Sequence, residues 1–299
     1  MDRLCVLLTL LVLVLGALAA PSPAELSCTK HGTDPECIIS NITFESTNPE
    51  EYIFPKEIAI QLANCTMECF SPELAARLSE VTTELSILDG VAPKLYVKPS
   101  LKKITCLRAA TSTVLIDPVE NHNLELLDLE GVLTAIPENI HYLKKLQVLD
   151  LCQNQIDHVK LDAFQGLNHL RKINLGHNRI QSVDSTGNTI NLPALTELFL
   201  HGNQLTALDL THLKADNLQR FYVSENQLTR IDSNFPHQFP NLVRTDLFRN
   251  KWICEWLEET LRTLNASKVE THSYLPSKIC DERGSVKVDV VDCESAIDI

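Results

Sequence analysis

Between Leu146 and Val159 apolar residues fall on a fixed frame: Leu146, Leu149, Leu151, then Asn154, Ile156 and Val159. The frame returns at Leu170, Ile173, Leu175, Asn178 and Ile180, and again at Leu195, Leu198, Leu200, Asn203 and Leu205. Two further copies follow, Leu218, Phe221, Val223, Asn226 and Leu228, then Leu242, Thr245, Leu247, Asn250 and Trp252. The copies start 24, 25, 23 and 24 residues apart. Apolar residues at the fourth and sixth places alternate with polar ones, which predicts a short strand with one buried face. Successive strands then stack in parallel, each coil touching only its neighbours. The asparagine at the ninth place follows the strand, where the chain turns inward. Its amide both donates and accepts, so it is expected to pair backbone groups of its own and the next coil that would otherwise be buried unpaired. The five expected members of this amide ladder are Asn154, Asn178, Asn203, Asn226 and Asn250.

Upstream the frame decays. Ile60, Leu62, Cys65 and Met67 read as one coil, with Cys65 in the asparagine place. Leu85 and Ile87 mark a second, and Leu101, Ile104, Cys106 and Ala109 a third. The copy at Leu124, Leu127 and Leu129 is one residue short and lacks the asparagine. Such a break in the ladder allows an irregular or differently curved N-terminal half. Phe164, Phe235 and Phe239 precede frame starts on the return side and are expected in the core.

These residues resemble the leucine-rich repeat family, whose repeats are 20 to 29 residues long. The resemblance covers the mature chain, closely over 146–257 and loosely elsewhere. It implies an α/β fold, a curved solenoid with a parallel sheet on its concave side, mostly used for binding other proteins. The expected division is a signal peptide over 1–19, an N-terminal cap over 20–55, repeats over 56–252, and a C-terminal cysteine cap over 253–299. The stretch Asn250-Lys251-Trp252-Ile253-Cys254-Glu255-Trp256-Leu257 resembles the family's extracellular cap, although Trp256 stands where that cap has a second cysteine. The family's order pairs Cys254 with Cys280, with Cys254 to Cys293 the alternative. Leu257, Leu261 and Leu264 follow at helical spacing, a face to lay over the last coil.

Arg3, the apolar run Leu4–Leu18 and the small residues around Ala19 read as a cleaved secretory leader. No later run has membrane-spanning length. The sequons at Asn41, Asn64 and Asn265 agree with that route as glycosylation candidates. With Cys5 in the leader, nine of the ten cysteines remain, so at least one lacks a partner within the chain. Cys28 and Cys37 are expected to close a short loop in the cap, and Cys65 and Cys69 could pair with each other or with those two. Cys106 reads as a buried thiol. Cys293 and Cys152 are the candidates for a bridge to a partner. The spacing gives no zinc site, and no metal or cofactor is expected.

Places three, five and seven face away from the core. They gather carboxylates at Asp128, Glu130 and Asp150, read as a solvated face, and aromatic and basic residues at Phe199, Arg220, Tyr222, Arg244 and Phe248. The latter mixture has the composition of a binding hot spot. A net charge of -13 disfavours nucleic acid and anionic membranes as partners. His177, His201 and Asp150 lie near the face, but no motif of a nucleophile, metal or phosphate site accompanies them, and no enzyme is expected. The short format, the degenerate early coils and the abbreviated cap look most like secreted insect leucine-rich repeat immune proteins. Without their coiled coil up to Ile299, the short form is the expected one. That resemblance implies recognition of a protein or pathogen-surface partner in innate immunity, with a disulfide-linked complex among the forms to be expected. An extracellular-matrix or adhesion module and a soluble inhibitor or decoy of a receptor or enzyme are the alternatives.

Overall fold

The computed structural model describes residues 24–30, 36–45, 49–231 and 234–271. The signal-peptide expectation, Cys280 and Cys293 fall outside them. One sheet of eleven strands runs through the described residues, every strand parallel and the spatial order identical to the chain order. The strands are β1 (Glu36–Ser40), β2 (Ala59–Ala63), β3 (Glu84–Leu88), β4 (Lys103–Leu107), β5 (Leu126–Glu130) and β6 (Val148–Asp150). They continue as β7 (Lys172–Asn174), β8 (Glu197–Phe199), β9 (Arg220–Tyr222), β10 (Arg244–Asp246) and β11 (Glu270–Thr271). A short helix α1 (Pro72–Ala76) lies on an early return path, and a longer one, α2 (Cys254–Ala266), closes the array.

Burial follows the frame. Ile60 and Leu62, Leu85 and Ile87, Ile104 and Cys106, and Leu127 and Leu129 are all buried, as are the corresponding pairs of the later coils. Thr245 is the polar exception, and its hydroxyl donates to the Phe221 carbonyl at 2.8 Å. Phe221, Phe235 and Phe239 pack together inside the last coils, and Phe164 is buried further back. Under α2, Leu257 and Leu264 are buried, Trp252 stacks on Trp256 at 4.8 Å, and the Trp252 indole donates to the Leu247 carbonyl.

All five expected ladder asparagines are buried and bonded, but they reach the coil before them rather than the next one. Asn203 shows the pattern. Its Nδ2 donates to the Leu175 carbonyl of the preceding coil at 2.9 Å and to its own Leu200 carbonyl at 3.0 Å. Its Oδ1 accepts from the Ile180 amide of the preceding coil at 2.9 Å. Asn154, Asn178, Asn226 and Asn250 repeat it. The direction is set by the turn: the side chain points back along the solenoid axis, where the preceding strand has just ended.

Where the asparagine is missing, backbones take its place. Thr43–Phe44 pairs with Thr66–Met67, Lys94–Tyr96 with Thr113–Leu115, and Thr66 also bridges to Val91. Val91 N donates to the Cys65 carbonyl at 2.8 Å. That approach requires Gly90, since a Cβ there would lie 2.3 Å from the Cys65 carbonyl oxygen. The Cys65 thiol lies 3.6 Å from the Ile39 carbonyl, a weak stand-in for the amide. The turn residue before the asparagine place has positive φ in most coils, as at Asn64, Arg108, Gln153 and His177. In the short coil Leu133 takes the position that Ile156 holds in the next, and both amides donate to a ladder asparagine.

Cys28 and Cys37 form a disulfide, with β1 bonded back to Thr29 across it. Cys65 and Cys69 are both thiols, so neither pairing open to them in the sequence is made. Cys106 is a buried thiol 3.0 Å from the Thr111 hydroxyl, and burial pushes it up to about 11.

Asn203→Ala leaves the buried Ile180 N–H of the preceding coil without its acceptor and removes one of the two donors that the Leu175 and Leu200 carbonyls each have. At about 1–3 kcal/mol for the unsatisfied group, thermal unfolding of the variant is expected several degrees below wild type. An unchanged Tm would contradict the ladder's role.

Candidate functional site

The concave face is the surface on which the side chains of most coils converge, and register decides which of them meet. Asp128, Asp150, Asn174, Phe199, Tyr222 and Asp246 are Cα partners on consecutive strands, so their side chains form one row. Glu197, Arg220, Arg244 and Glu270 form a parallel row beside it.

Within the first row the Phe199 and Tyr222 rings stack at 4.7 Å with 15° between planes. Both are half-buried. The Lys172 ammonium lies 5.7 Å from the Phe199 ring centre, in cation–π range. His201 meets Phe199 from the turn and touches His177 edge-on at 5.0 Å. The His201 ring sits over Gly176, where a Cβ would come within 2.4 Å of it.

The arginines are exposed at their ends but tied down. Arg220 pairs with Glu197 at 2.5 Å and Arg244 with Glu270 at 2.6 Å, each across one strand spacing. Glu270, and after it the Tyr222 hydroxyl, hold the Arg244 guanidinium further into its charged form. Phe248 is half-buried at the rim, two residues past β10, and its backbone amide donates to Asp246. The structure therefore brings Phe199, Tyr222, Arg220 and Arg244 together in adjacent coils. Lys172 completes the set. Sequence reasoning missed it, although it lies one coil from Glu197 in the same row.

The carboxylates form no solvated face, and that expectation is corrected. Asp150 is only 6 % exposed. Its oxygens accept from Asn174 Nδ2 at 2.9 Å and from the Cys152 amide at 3.1 Å, and Lys172 Nζ is 3.3 Å away. Asp128 lies in register between Asp150 and Thr105. Desolvation first, then the Asp150 charge, push Asp128 up to about 7, against the pull of Lys172. Burial comes from the neighbouring coils, which no local pattern reveals.

The remaining candidates lie apart. Cys152 is half-buried at the end of β6. Asn41, Asn64 and Asn265 are exposed. Cys254 is disulfide-bonded, and its partner lies outside the described residues. On the far side, His158 Nδ1 is 2.8 Å from the Ser182 hydroxyl and 3.5 Å from Asp184. A single ring nitrogen faces both, so the three cannot act as a proton relay, which needs one partner on each nitrogen. Among the described residues no cluster of three or more His, Cys, Asp or Glu could hold a metal ion, and no helix is long and apolar enough to cross a membrane.

Known proteins share this fold and its repeat. A family profile described as leucine-rich repeat matches residues 122–180 and 144–205. The solved leucine-rich repeat domain of APL1B superposes with a TM-score of 0.60 at 17 % identity, over 79 % of this chain and 76 % of that one. The fold is a leucine-rich repeat solenoid. The LRIM1 leucine-rich repeat domain superposes with a TM-score of 0.57 at 18 % identity, over 78 % of this chain and 72 % of its own. In sequence, asporin from Bos taurus is 27 % identical over 54 % of this chain and 45 % of its own length. Toll-like receptor 5 from Homo sapiens is 34 % identical over 38 % of this chain and 14 % of its own. The chain thus spans less than half the length of these curated relatives.

The raised Asp128 carboxyl has a stability consequence with a definite sign. Its unfolded value is near the ordinary 3.8 and its folded value about 7. The folded state therefore binds more protons between those limits, and the stabilisation present below pH 4 is lost as pH rises through 7. Asp128→Asn is expected to unfold at a higher temperature than wild type at pH 8, with the gap closing toward pH 4. At about 1.4 kcal/mol for each pH unit, the upper bound is about 4 kcal/mol, reduced by the carboxyl's residual exposure. Parallel Tm–pH curves would show that the carboxyl ionises normally.

Proposed function

We propose that this chain is a secreted, non-catalytic recognition protein that binds a protein or pathogen-surface partner through the concave row centred on Phe199 and Tyr222. The observation that carries this reading is the aromatic stack with ion pairs alongside it. Two large rings and two arginines are held in place by in-register neighbours, so a partner meets side chains whose rotamers are already restricted. Association then loses less side-chain entropy than docking on a loose surface. Aromatic and arginine side chains are also the types that dominate measured interface energies.

Secretion is supported by the apolar leader ending near Ala19, by the Cys28–Cys37 bridge, which suits an oxidising compartment, and by the exposed sequons as glycan acceptors. An innate-immune role rests on the resemblance to secreted insect leucine-rich repeat immune proteins. A solved complex of LRIM1 with APL1C superposes on this chain with a TM-score of 0.56 at 20 % identity. Solenoids of this shape thus occur in protein–protein assemblies.

The test is capture of partners by tagged protein from its native extracellular fluid, eluted first with salt and detergent and then with reductant. A specific protein is expected from wild type and is expected to fall at least tenfold with Phe199→Ala or Tyr222→Ala at unchanged circular dichroism. A partner eluting only with reductant makes the complex covalent. Capture that survives both alanine variants rules out the aromatic row as the site.

A further inference from the structure

The fold superimposes two of the three sequons. Asn41 follows β1 and Asn64 follows β2, one coil apart. Ser40 and Ala63, the residues before them, are Cα partners, and Asn41 N donates to the Ala63 carbonyl at 3.0 Å. Two positions later Thr43 and Thr66 are Cα partners again. The triplets Asn41-Ile42-Thr43 and Asn64-Cys65-Thr66 therefore lie one on the other, separated by one strand spacing of about 4.8 Å. In both, the asparagine and the threonine are exposed, while the middle residue faces inward: Ile42 is half-buried and Cys65 fully buried.

The two asparagines differ from the five of the ladder in the property that matters for modification. Every ladder amide is buried and bonded to backbone. The Asn41 and Asn64 side-chain amides have no hydrogen-bond partner among the described residues. Both residues sit in left-handed turns, with φ of 59° and 51°, at the margin where the chain leaves the concave sheet. Nothing in the fold uses these amides.

We propose that Asn41 and Asn64 form a paired N-glycosylation site whose two sugars leave the same margin of the concave sheet side by side. The inference rests on the reading of the chain as secreted. In each transfer the asparagine Nδ2 forms a bond to the anomeric carbon of a lipid-pyrophosphate-linked oligosaccharide. The bond from that carbon to the pyrophosphate oxygen breaks, the lipid pyrophosphate leaves, and Nδ2 loses one proton. In the folded chain the two triplets are held in β-pairing with each other, so transfer precedes closure of the first two coils. The product places hydrated bulk beside the half-buried Ala63, Leu88 and Leu107, which follow one another along that margin. A partner is thereby directed away from the first coils and toward the row from β6 onward.

The test expresses the full chain with its own leader in eukaryotic secretory cells. Medium and cell extracts are digested, and glycopeptides are mapped before and after peptide N-glycosidase F. The expected result is sugar on both the Asn41 and the Asn64 peptide of a single molecule. Asn41→Gln and Asn64→Gln should each remove one glycan from the intact mass, and the double substitution both, with Asn265 scored separately. Unmodified peptides in secreted chain would overturn the paired site and leave the extracellular reading standing. So would exclusive occupancy, with one asparagine modified only after the other is replaced. A chain that never enters the secretory route would overturn both.

Discussion

A buried backbone that turns inward must have its polar groups paired, and this constraint shapes the whole molecule. A solenoid coil leaves its strand at a corner where carbonyl and amide groups are shut away from water. In the C-terminal half one side chain per coil solves the problem. Each asparagine ties two groups of the preceding coil and two of its own, so the corner is satisfied and the coil-to-coil distance is set together. The parallel sheet, the straight rows across its concave face and the stacked ring pair all depend on that fixed spacing.

The N-terminal half meets the same constraint differently. Without the amide, the corners move close enough for backbone to bond to backbone, as at Thr66 and Val91, and Gly90 is what allows the approach. The coil at Leu124–Lys145 joins the two schemes. It has no amide of its own, yet Asn154 of the following coil reaches back to pair its Leu129 carbonyl and Leu133 amide. The direction of the ladder therefore matters: the first regular coil can seal the last irregular one.

The frame made the C-terminal coils legible residue by residue because a single period fixes both facing and turn. It also located the buried pairs Ile60 and Leu62 and Leu85 and Ile87, where the asparagine is gone but the alternation survives. Three things were not legible. Which neighbour an amide reaches depends on the path of the turn. Whether an outward-facing carboxylate is solvated depends on coils 22 and 24 residues away, as Asp128 and Asp150 show. That the arginines are held by Glu197 and Glu270 follows only from register, which the strand pattern does not state until the coils are stacked.

The two ways of closing a corner also age differently. Asparagine is among the thermolabile side chains, and loss of its amide nitrogen leaves a carboxylate. At Asn178 or Asn226 that change would replace a donor to three carbonyl oxygens by a negative charge pointed at them. The coils from Leu146 onward, which also carry the aromatic row, thus have a chemical lifetime written into their corners. The coils before Leu124, closed by peptide groups with the Cys65 thiol and the Thr111 hydroxyl beside them, have no ladder amide to lose.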